Sequence, residues 1–466
     1  MSKFLCNDIH SKLNPTWVAR IIQPTTEAEV VEAIHEAAKQ DLPISICGAR
    51  HAMGGQQFGE GTLLLDLSNL TAFGNLDCDR GTVEVEAGMQ WPELIEGLHQ
   101  VQVGKQQVWS IRQKQTGADN LTLGGALAAN IHGRGLQMKP LIDDIEWFRL
   151  VDSEGVIRHC SREENSELFG LAIGGYGCFG VVTSICLRLT LRSKLERIVE
   201  ITSIEQLLPS LEQKMREGHL YGDFQFSIDE SSPDFLKLGV LSSYRPVSQD
   251  RDMPAVREEL GEKDWMRLIR LAHEDRKQIF KEYSSFYLKT HGALYWSDTH
   301  QLSVYLDDYH ETIDQECGAK FPSSEMISEL YVPKEHLVSF MTDAADLLRN
   351  GTVPAIYGTV RFIQKDRESF LTWAQQDFAC IIFNLHTEHS DTGIDLASSA
   401  FRKLIDIALS YGGTYFLTYH RWARPDQIKS AYPRFSAFLK AKDRYDPNHR
   451  FQSEWWRHHS KILGEG

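Results

Sequence analysis

Residues 43–57 read PISICGARHAMGGQQ, a short apolar run followed by a glycine-rich loop. The run at 43–47 predicts a buried β-strand that stops at Gly48, because isoleucine favours strands and glycine interrupts them. The loop at 48–57 places His51 between glycines. Glycine permits close backbone approach to a ligand, so this loop is a candidate for binding an anionic group.

Two more loops of this kind follow. Residues 115–126 read QTGADNLTLGGA and continue to NIHGRG at 130–135, and residues 174–183 read GGYGCFGVVT. Three such loops in one region indicate a long ligand that carries a diphosphate. The chain has no GxGxxG motif opening a helix after its first strand and no GxxxxGK[ST] motif. Both absences disfavour a doubly wound dinucleotide fold and a P-loop.

The pattern around these loops predicts an α+β chain. A helix is expected at 24–41, where Thr26 and Glu29 form a capping pair, and strands are expected at 61–67, 82–87 and 180–189. The apolar run before His132 is taken as another strand. From 195 to 410, strand-like runs (221–228, 353–363, 379–385) alternate with helical ones (265–283, 335–349, 396–410). We therefore expect domains at 15–193 and 194–410, with a separate C-terminal segment at 411–466.

Composition excludes several classes of protein. The chain has 466 residues, 42% of them hydrophobic, and a net charge of −15. These values exclude a disordered or fibrous chain. The diffuse acidic balance argues against nucleic acid as a partner, since phosphate binding needs concentrated positive charge.

The sequence also predicts the cellular compartment of the protein. Its eight cysteines form no CxxC pair, so buried reduced thiols are favoured over disulfides or a metal site. The N-terminus lacks the apolar core of a secretory signal, and the apolar runs are too short to span a bilayer. We expect a cytoplasmic protein, with peripheral membrane contact left open.

Five segments in order resemble one family. They are PISICGARHAMGGQQ, LLLDLSNL, TVEVEAGMQWPEL, TLGGALAANIHGRG and GGYGCFGVVTSICLRL. Together they resemble the FAD-binding domain of the vanillyl-alcohol oxidase/p-cresol methylhydroxylase superfamily. The tail at 422–459 resembles its sugar-oxidising branch, which holds aldonolactone, alditol and decaprenylphosphoryl-ribose oxidases. The resemblance implies a two-subdomain FAD-binding domain and a substrate domain of antiparallel sheet covered by helices.

The resemblance also implies which residues hold FAD. Loop one would hold the diphosphate, loop two would follow the ribityl chain and flavin ring, and loop three would close from the other side. The residues implied are Gly48, Ala49, Arg50, His51, Ala52, Met53, Gly54 and Gln56 in loop one, Gly117, Asn120, Thr122, Gly124 and Gly125 in loop two, and Gly175, Gly180 and Val182 in loop three.

His51 stands where many relatives bond the flavin covalently. The bond raises the reduction potential of the flavin and retains the cofactor. Ala52 replaces the serine that usually follows, and the decaprenylphosphoryl-ribose group lacks the histidine altogether. The alternative is a histidine that only contacts the diphosphate.

The implied catalytic residues lie farther along the chain. Glu329 in SELYVP matches the acidic residue that relatives aim at substrate hydroxyls, although Tyr331 replaces their arginine. Arg361 is expected to face the site or to form a surface ion pair. His132 is expected near the flavin or as a structural donor. In the tail, His420 is a candidate base, and Arg424 would stabilise charge, because arginine stays protonated.

The expected activity is FAD-dependent oxidation of a hydroxyl on a sugar, sugar lactone or polyol by hydride transfer to the flavin. Oxygen or another acceptor would then reoxidise the flavin, and no metal is expected. Two alternatives stay open. One is the same chemistry on a lipid-linked sugar or secondary-metabolite alcohol, and the other is a flavin-binding protein without turnover.

Overall fold

A computed structural model describes residues 3–254 and 259–464 of the protein. Residues 465–466, the end of the predicted C-terminal segment, lie outside the described residues. The strands up to Leu191 are β1 (Phe4–Cys6), β2 (Thr16–Val18), β3 (Arg20–Ile22), β4 (Ile44–Cys47), β5 (Leu63–Asp66), β6 (Phe73–Asp77), β7 (Thr82–Glu86), β8 (Trp109–Ile111), β9 (Ile145–Val151), β10 (Ile157–Ser161) and β11 (Val181–Leu191). The α-helices between them are α1 (Glu27–Lys39), α2 (Trp91–Val101), α3 (Leu123–Ala129) and α4 (Ser166–Ala172).

The rest of the chain contributes the larger sheet. Its strands are β12 (Lys194–Ser203), β13 (Tyr221–Phe226), β14 (Leu238–Val247), β15 (Leu294–Trp296), β16 (Ser323–Pro333), β17 (Ala355–Ile363), β18 (Phe378–Glu388) and β19 (Thr414–Tyr415). Its helices are α5 (Ile204–Arg216), α6 (Glu262–Glu274), α7 (Arg276–Lys289), α8 (Tyr309–Glu316), α9 (Leu337–Arg349), α10 (Asp391–Ser410), α11 (Pro425–Ala431), α12 (Phe435–Tyr445) and α13 (Glu454–Leu463). Short 3-10 helices lie at Leu67–Asn69, Leu141–Asp144, Thr299–Gln301 and Lys334–His336.

Two sheets organise most of the first part of the chain, and a separate two-stranded sheet pairs β1 with β2. A three-stranded parallel sheet has the order β3-β5-β4, and α1 packs its apolar side against it. A larger antiparallel sheet has the order β10-β9-β11-β7-β6, with β8 also paired to β11. The predicted cap of α1 is present, since Thr26 accepts from the Glu29 amide at 3.2 Å. This pair of sheets matches the predicted two-subdomain arrangement.

The second part is an eight-stranded sheet with the order β15-β12-β14-β13-β17-β18-β16-β19. All its strand pairs are antiparallel. Helices α5, α9 and α10 contact its strands on the side of a large buried core. The predicted α+β class, with an antiparallel sheet covered by helices, is confirmed.

Two local predictions were wrong. The apolar run before His132 forms α3 rather than a strand, because Thr122 caps it by accepting from the Gly125 amide and its alanines favour a helix. The helix predicted at 265–283 is two helices. Helix α6 ends at Glu274, and Asp275 caps α7 by accepting from the Gln278 amide at 3.0 Å.

The C-terminal segment contacts both parts of the molecule. Strand β19 pairs with β16 at the edge of the large sheet. Phe451 forms a parallel bridge with Ile44 in β4, and the Gln452 amide donates to the Ile44 carbonyl at 2.8 Å. The segment therefore extends the sheet that leads into loop one. The domain boundaries themselves stay a prediction.

Within the described residues, no helix has the length and apolar character needed to cross a membrane. None of the eight cysteines forms a disulfide in this part of the chain, and six of them are buried.

Candidate functional site

A cavity of about 920 Å³ lies between the three glycine loops and the large sheet. Its volume is near the upper end of the roughly 300–1,000 Å³ found for ligand pockets. Most of the predicted cofactor residues line it, namely Gly48, Ala49, Arg50, His51, Ala52, Met53, Gln56, Gly117, Thr122, Gly124, Gly125, Gly180 and Val182. The cavity thus brings the three loops together around one space.

Three predicted cofactor residues do not line this cavity. A Cβ added at Gly175 would lie 2.1 Å from the Leu171 carbonyl, so that glycine serves packing against α4. A Cβ at Gly54 would lie 3.0 Å from the Thr418 carbonyl. Asn120 bonds the His51 ring through its backbone. These residues shape the loops behind the wall of the cavity.

Loops one and two pack closely against each other because Gly48 has no side chain. A Cβ at Gly48 would lie 2.2 Å from Thr122 Oγ1, closer than any real contact allows. Arg50 follows with a φ of +62°, and its guanidinium bonds Asp66 at 3.0 Å. This packing turns the end of β4 sharply along the cavity.

The loops offer groups that suit a polar cofactor. Gly117 has a φ of +102°, and a Cβ there would meet no heavy atom within 4 Å, so its backbone is open to a ligand. Gln56 donates to the Thr418 carbonyl at 2.9 Å, while its buried Oε1 has no hydrogen-bond partner among the described residues. These residues fit FAD, whose diphosphate and ribityl chain need open backbone and polar partners.

His51 lies in a cluster of rings at the wall of the cavity. Its Nδ1 lies 2.7 Å from His10 Nε2, and the Tyr305 ring packs against His10 with centroids 4.8 Å apart. Burial lowers the pKa of His51 to about 4 and that of His10 to about 3. Both imidazoles are therefore neutral at physiological pH. A neutral imidazole is the form that can act as a nucleophile.

Three strands of the large sheet present one face to the cavity. Residues that pair directly across a sheet point to the same side, and so do residues two apart in a strand. The rows, in order along β16, are Ile327 with Asn384 and Tyr357, then Glu329 with Ile382 and Thr359, then Tyr331 with Cys380 and Arg361. All of them except Tyr331 and Cys380 line the cavity. The alternation therefore places Glu329 and Arg361 on one wall.

Glu329 and His132 form a buried pair at this wall. His132 Nε2 lies 2.7 Å from Glu329 Oε1, and Nδ1 donates to the Gly133 carbonyl at 2.8 Å. Since a carbonyl and a carboxylate both accept, His132 donates from both nitrogens when Glu329 is ionised. Burial alone would raise the pKa of Glu329, but its contacts with His132 and Tyr331 bring it below the ordinary value. The pair therefore joins the end of loop two to the large sheet through a buried hydrogen bond.

Two tyrosines fix the carboxylate. Tyr331 donates to Glu329 Oε1, and Tyr419 donates to Oε2 at 3.1 Å. The Tyr331 ring stacks on Trp373 with centroids 4.5 Å apart. Burial and the nearby carboxylate raise the pKa of Tyr419 well above its usual range, so it stays a donor. Oε2 accepts only this one hydrogen bond among the described residues, which leaves it capacity for another partner.

Arg361 is buried on the same wall rather than in a surface ion pair. Its Nη2 donates to the Thr116 hydroxyl of loop two. Its Nε has no hydrogen-bond partner among the described residues. The guanidinium therefore connects the sheet to a cofactor loop and keeps one donor for a ligand.

The remaining two predicted catalytic residues are not brought to the cavity. His420 is buried between the rings of Phe401 and Trp422, and burial lowers its pKa to about 3. Arg424 lies at the surface at the start of α11, where it bonds Asp406 at 2.8 Å and Asp426 at 3.0 Å. Helix α11 begins directly after Arg424, so its side chain projects to solvent beside α10. We leave both residues out of the proposed catalytic set.

Sequence reasoning missed several residues of the site. His10 lies near the N-terminus with no motif around it, and Cys380 and Trp373 lie in segments without polar patterning. Tyr419 stands next to His420 in the tail, and only the fold places its hydroxyl on Glu329. The one available signal was alternation, since Arg361 and Glu329 both lie in strands that point every second residue to the cavity.

Comparison with known proteins supports an FAD-binding domain in this chain. Residues 18–161 match the family described as "FAD binding domain". An uncharacterized oxidoreductase in the fasciation locus of Rhodococcoides fascians is 30% identical over 175 residues, which is 36% of this chain and 37% of the relative. L-gulono-1,4-lactone dehydrogenase of Mycobacterium tuberculosis is 23% identical over 450 residues, covering 95% of this chain and 96% of the relative.

A third relative is L-gulonolactone oxidase of Bos taurus, 23% identical over 210 residues, 45% of this chain and 46% of the relative. The predicted resemblance and the predicted FAD cofactor are thereby confirmed, whereas the covalent bond at His51 stays a prediction. Residues 18–161 therefore form an FAD-binding domain, and the chain is similar to proteins named as lactone dehydrogenases and oxidases.

Proposed function

We propose that the protein oxidises a hydroxyl group of a sugar, sugar lactone or polyol at the wall that carries Glu329. The buried Glu329 and His132 pair carries this proposal, because it sets an acceptor with spare capacity at the cavity beside the FAD loops. Relatives named for L-gulono-1,4-lactone and L-gulonolactone support the substrate class.

Bound FAD supplies the hydride acceptor for such an oxidation. Glu329 Oε2 would accept the hydrogen bond of the substrate hydroxyl, and the pair would take up its proton as the carbon is oxidised. His132 and Tyr419 would hold the orientation of the carboxylate through their hydrogen bonds. The guanidinium of Arg361 would orient a second oxygen of the substrate and stabilise negative charge next to loop two.

Unpartnered polar atoms on this wall support a hydroxyl-rich substrate. Thr359 Oγ1, Arg361 Nε and Asp223 Oδ1 are all buried and have no hydrogen-bond partner among the described residues. Buried polar groups without a partner are costly, so a ligand with several hydroxyls would stabilise them. All three residues line the cavity.

A second candidate substrate has an apolar part. The opposite wall comes from α6 and α7 and includes Trp265, Leu268, Ile269, Ile279 and Phe286. This wall would suit the lipid of a lipid-linked sugar or the ring of a secondary-metabolite alcohol. A flavin-binding protein without turnover is less favoured, because such a protein needs no carboxylate held at the cavity.

The test is reduction of the bound flavin without oxygen. FAD-loaded protein is mixed anaerobically with aldonolactones, sugars, polyols and apolar alcohols, and the visible flavin absorbance is followed. We expect a lactone or polyol to bleach the flavin. Later exposure to air shows whether oxygen reoxidises the flavin and restores its absorbance. Bleaching by apolar alcohols alone would favour the second candidate. Bleaching by none of them would contradict the proposal.

The cytoplasmic location of the protein stays a prediction.

A further inference from the structure

A second cluster of ionisable side chains lies one step along the same sheet. Glu325 precedes Glu329 by four residues on β16, and His386 pairs directly with it on β18. His273 reaches the same point from the last turn of α6, and His310 from α8. Four elements of the fold therefore meet at one carboxylate, and the proposed catalytic chemistry uses none of these side chains.

The distances within the cluster are short. Glu325 Oε1 lies 3.1 Å from His273 Nε2 and 3.6 Å from His386 Nδ1. Its other oxygen, Oε2, lies 2.7 Å from His310 Nδ1 and accepts from the Tyr309 hydroxyl at 2.5 Å. The ligand atoms of His273, Glu325 and His386 all lie within 4.8 Å of one another. One oxygen thus faces two imidazoles, while the other accepts from Tyr309 and lies close to His310.

These contacts are not an ordinary hydrogen-bond network. Glu325 is 7% exposed, and three imidazole nitrogens lie within 3.6 Å of its carboxylate oxygens. Among the described residues, the facing nitrogens of His273, His310 and His386 have no partner in hydrogen-bond geometry. Buried polar atoms normally have a partner. A group bound between these nitrogens and the carboxylate would supply it.

The donor set indicates what that group is. Two imidazole nitrogens and one carboxylate oxygen are ligands typical of zinc and related divalent ions. A ligating carboxylate is commonly held by hydrogen bonds on its other oxygen, as Tyr309 holds Glu325 Oε2 here. A hydrated alkaline-earth ion is disfavoured, because calcium and magnesium prefer oxygen ligands.

We propose that His273, Glu325 and His386 bind a divalent transition-metal ion of the zinc type. The ion would fasten α6 to β16 and β18. Because α6 contributes Trp265, Leu268 and Ile269 to the cavity, the site would fix the apolar wall in place. The proposal is independent of the substrate, since it rests on the cluster alone.

Metal counting and competition titration test it. FAD-loaded, full-length protein without an affinity tag is stripped with a chelator and titrated with Zn²⁺ against a chromophoric competitor. We expect one zinc per chain, with X-ray absorption showing nitrogen and oxygen ligands at about 2.0–2.2 Å. Glu325→Gln and His386→Gln should each weaken the affinity by more than about 100-fold, beyond the effect of losing a supporting partner.

Two control variants make the result specific. His389→Gln removes an imidazole that bonds Ser324 at 2.9 Å, next to the cluster but outside the ligand set, and should leave zinc affinity unchanged. Cys380→Ser changes the other group of potential ligands, His132, Glu329 and Cys380, and should also leave it unchanged. Flavin content and circular dichroism show whether each variant folds. If Glu325→Gln fails to fold, His386→Gln provides the test of the ligand set. Protein that binds no zinc, or equal zinc affinity in the ligand variants, would overturn the proposal.

Discussion

His132 Nε2 lies 2.7 Å from Glu329 Oε1, although the two residues are 197 positions apart in the sequence. His132 follows α3 in the FAD-binding part, and Glu329 lies on β16 of the large sheet. The pair therefore joins the two parts of the protein at the cavity. Polar groups buried to this degree are costly unless they are hydrogen-bonded. Here each atom has partners, and one oxygen keeps capacity for a substrate.

The stabilising contribution of Glu329 should be lost at a lower pH than that of an ordinary glutamate. The pKa of Glu329 is below its ordinary value of 4.5. Since the folded value is lower than the unfolded one, the carboxylate stabilises the protein fully above 4.5, and its contribution is lost as the pH falls through the folded value. We expect the difference in free energy of unfolding between wild type and Glu329→Gln to stay constant down to 4.5 and then shrink. A difference that does not depend on pH would contradict the assignment.

His51 is predicted to hold the flavin covalently. Acid-precipitated wild-type protein should keep its flavin fluorescence, and His51→Ala should release the flavin to the supernatant. His10→Ala should lower the covalent fraction, because the His10 ring contacts His51 Nδ1 at 2.7 Å. His35→Ala on α1, whose ring bonds the Glu154 carbonyl, is the matched control and should keep the flavin bound. Free flavin from wild-type protein would leave His51 a contact role only.

Arg361 should contribute to substrate recognition. Replacing it by methionine removes a charged donor at the cavity, which should cost about 1.5–3 kcal/mol, or roughly 10- to 150-fold in kcat/KM. Thr359→Val should cost about 0.5–1.5 kcal/mol, because it removes a neutral hydroxyl. The control Arg349→Met changes an exposed arginine at the end of α9 and should leave kcat/KM unchanged. Equal kinetics for all three variants would exclude this wall as the substrate site.

The C-terminal segment should be essential for stability. Asp446 is fully buried, pairs with Lys442, and accepts from the Arg450 amide at 2.8 Å and the Phe451 amide at 2.9 Å. Asp446→Ala leaves Lys442 buried without its partner and should lower the free energy of unfolding by about 3–5 kcal/mol. The control Asp443→Ala changes an exposed residue of α12, three positions before Asp446, and should cost less than ~1 kcal/mol. Denaturant unfolding of the FAD-loaded variants measures both, and equal values would contradict the role of Asp446.

Local patterns account for the parts of the fold that could be predicted. The strand before Gly48 and the cap at Thr26 depend on neighbouring residues, and both are visible in the sequence. The run before His132 was mistaken for a strand, because a short apolar stretch of leucine and alanine has no period that distinguishes the two. The N-cap at Thr122 favours a helix for this run, and the same threonine side chain packs against Gly48.

The site was predictable only where a motif marks it. Glu329 and Arg361 were found because their strands resemble a known pattern, while Tyr419 and His10 depend on how distant segments pack. Arg424 lies in a matching motif, yet its side chain bonds Asp406 and Asp426 at the surface. A motif constrains the position of the backbone, but the direction of a side chain depends on neighbours that are far away in the sequence.

In the proposed function, the carboxylate of Glu329 acts on the substrate hydroxyl at the FAD cavity. The most direct measurement is the rate constant of anaerobic flavin reduction, by rapid mixing with a substrate that bleaches the wild type. Glu329→Gln should lower that rate constant by roughly 30- to 1,000-fold, about 2–4 kcal/mol, because a charged acceptor is lost. Arg424→Ala, in an exposed ion pair, should change it by less than ~1 kcal/mol. Flavin reduction at the wild-type rate in Glu329→Gln would contradict the proposed role of this carboxylate.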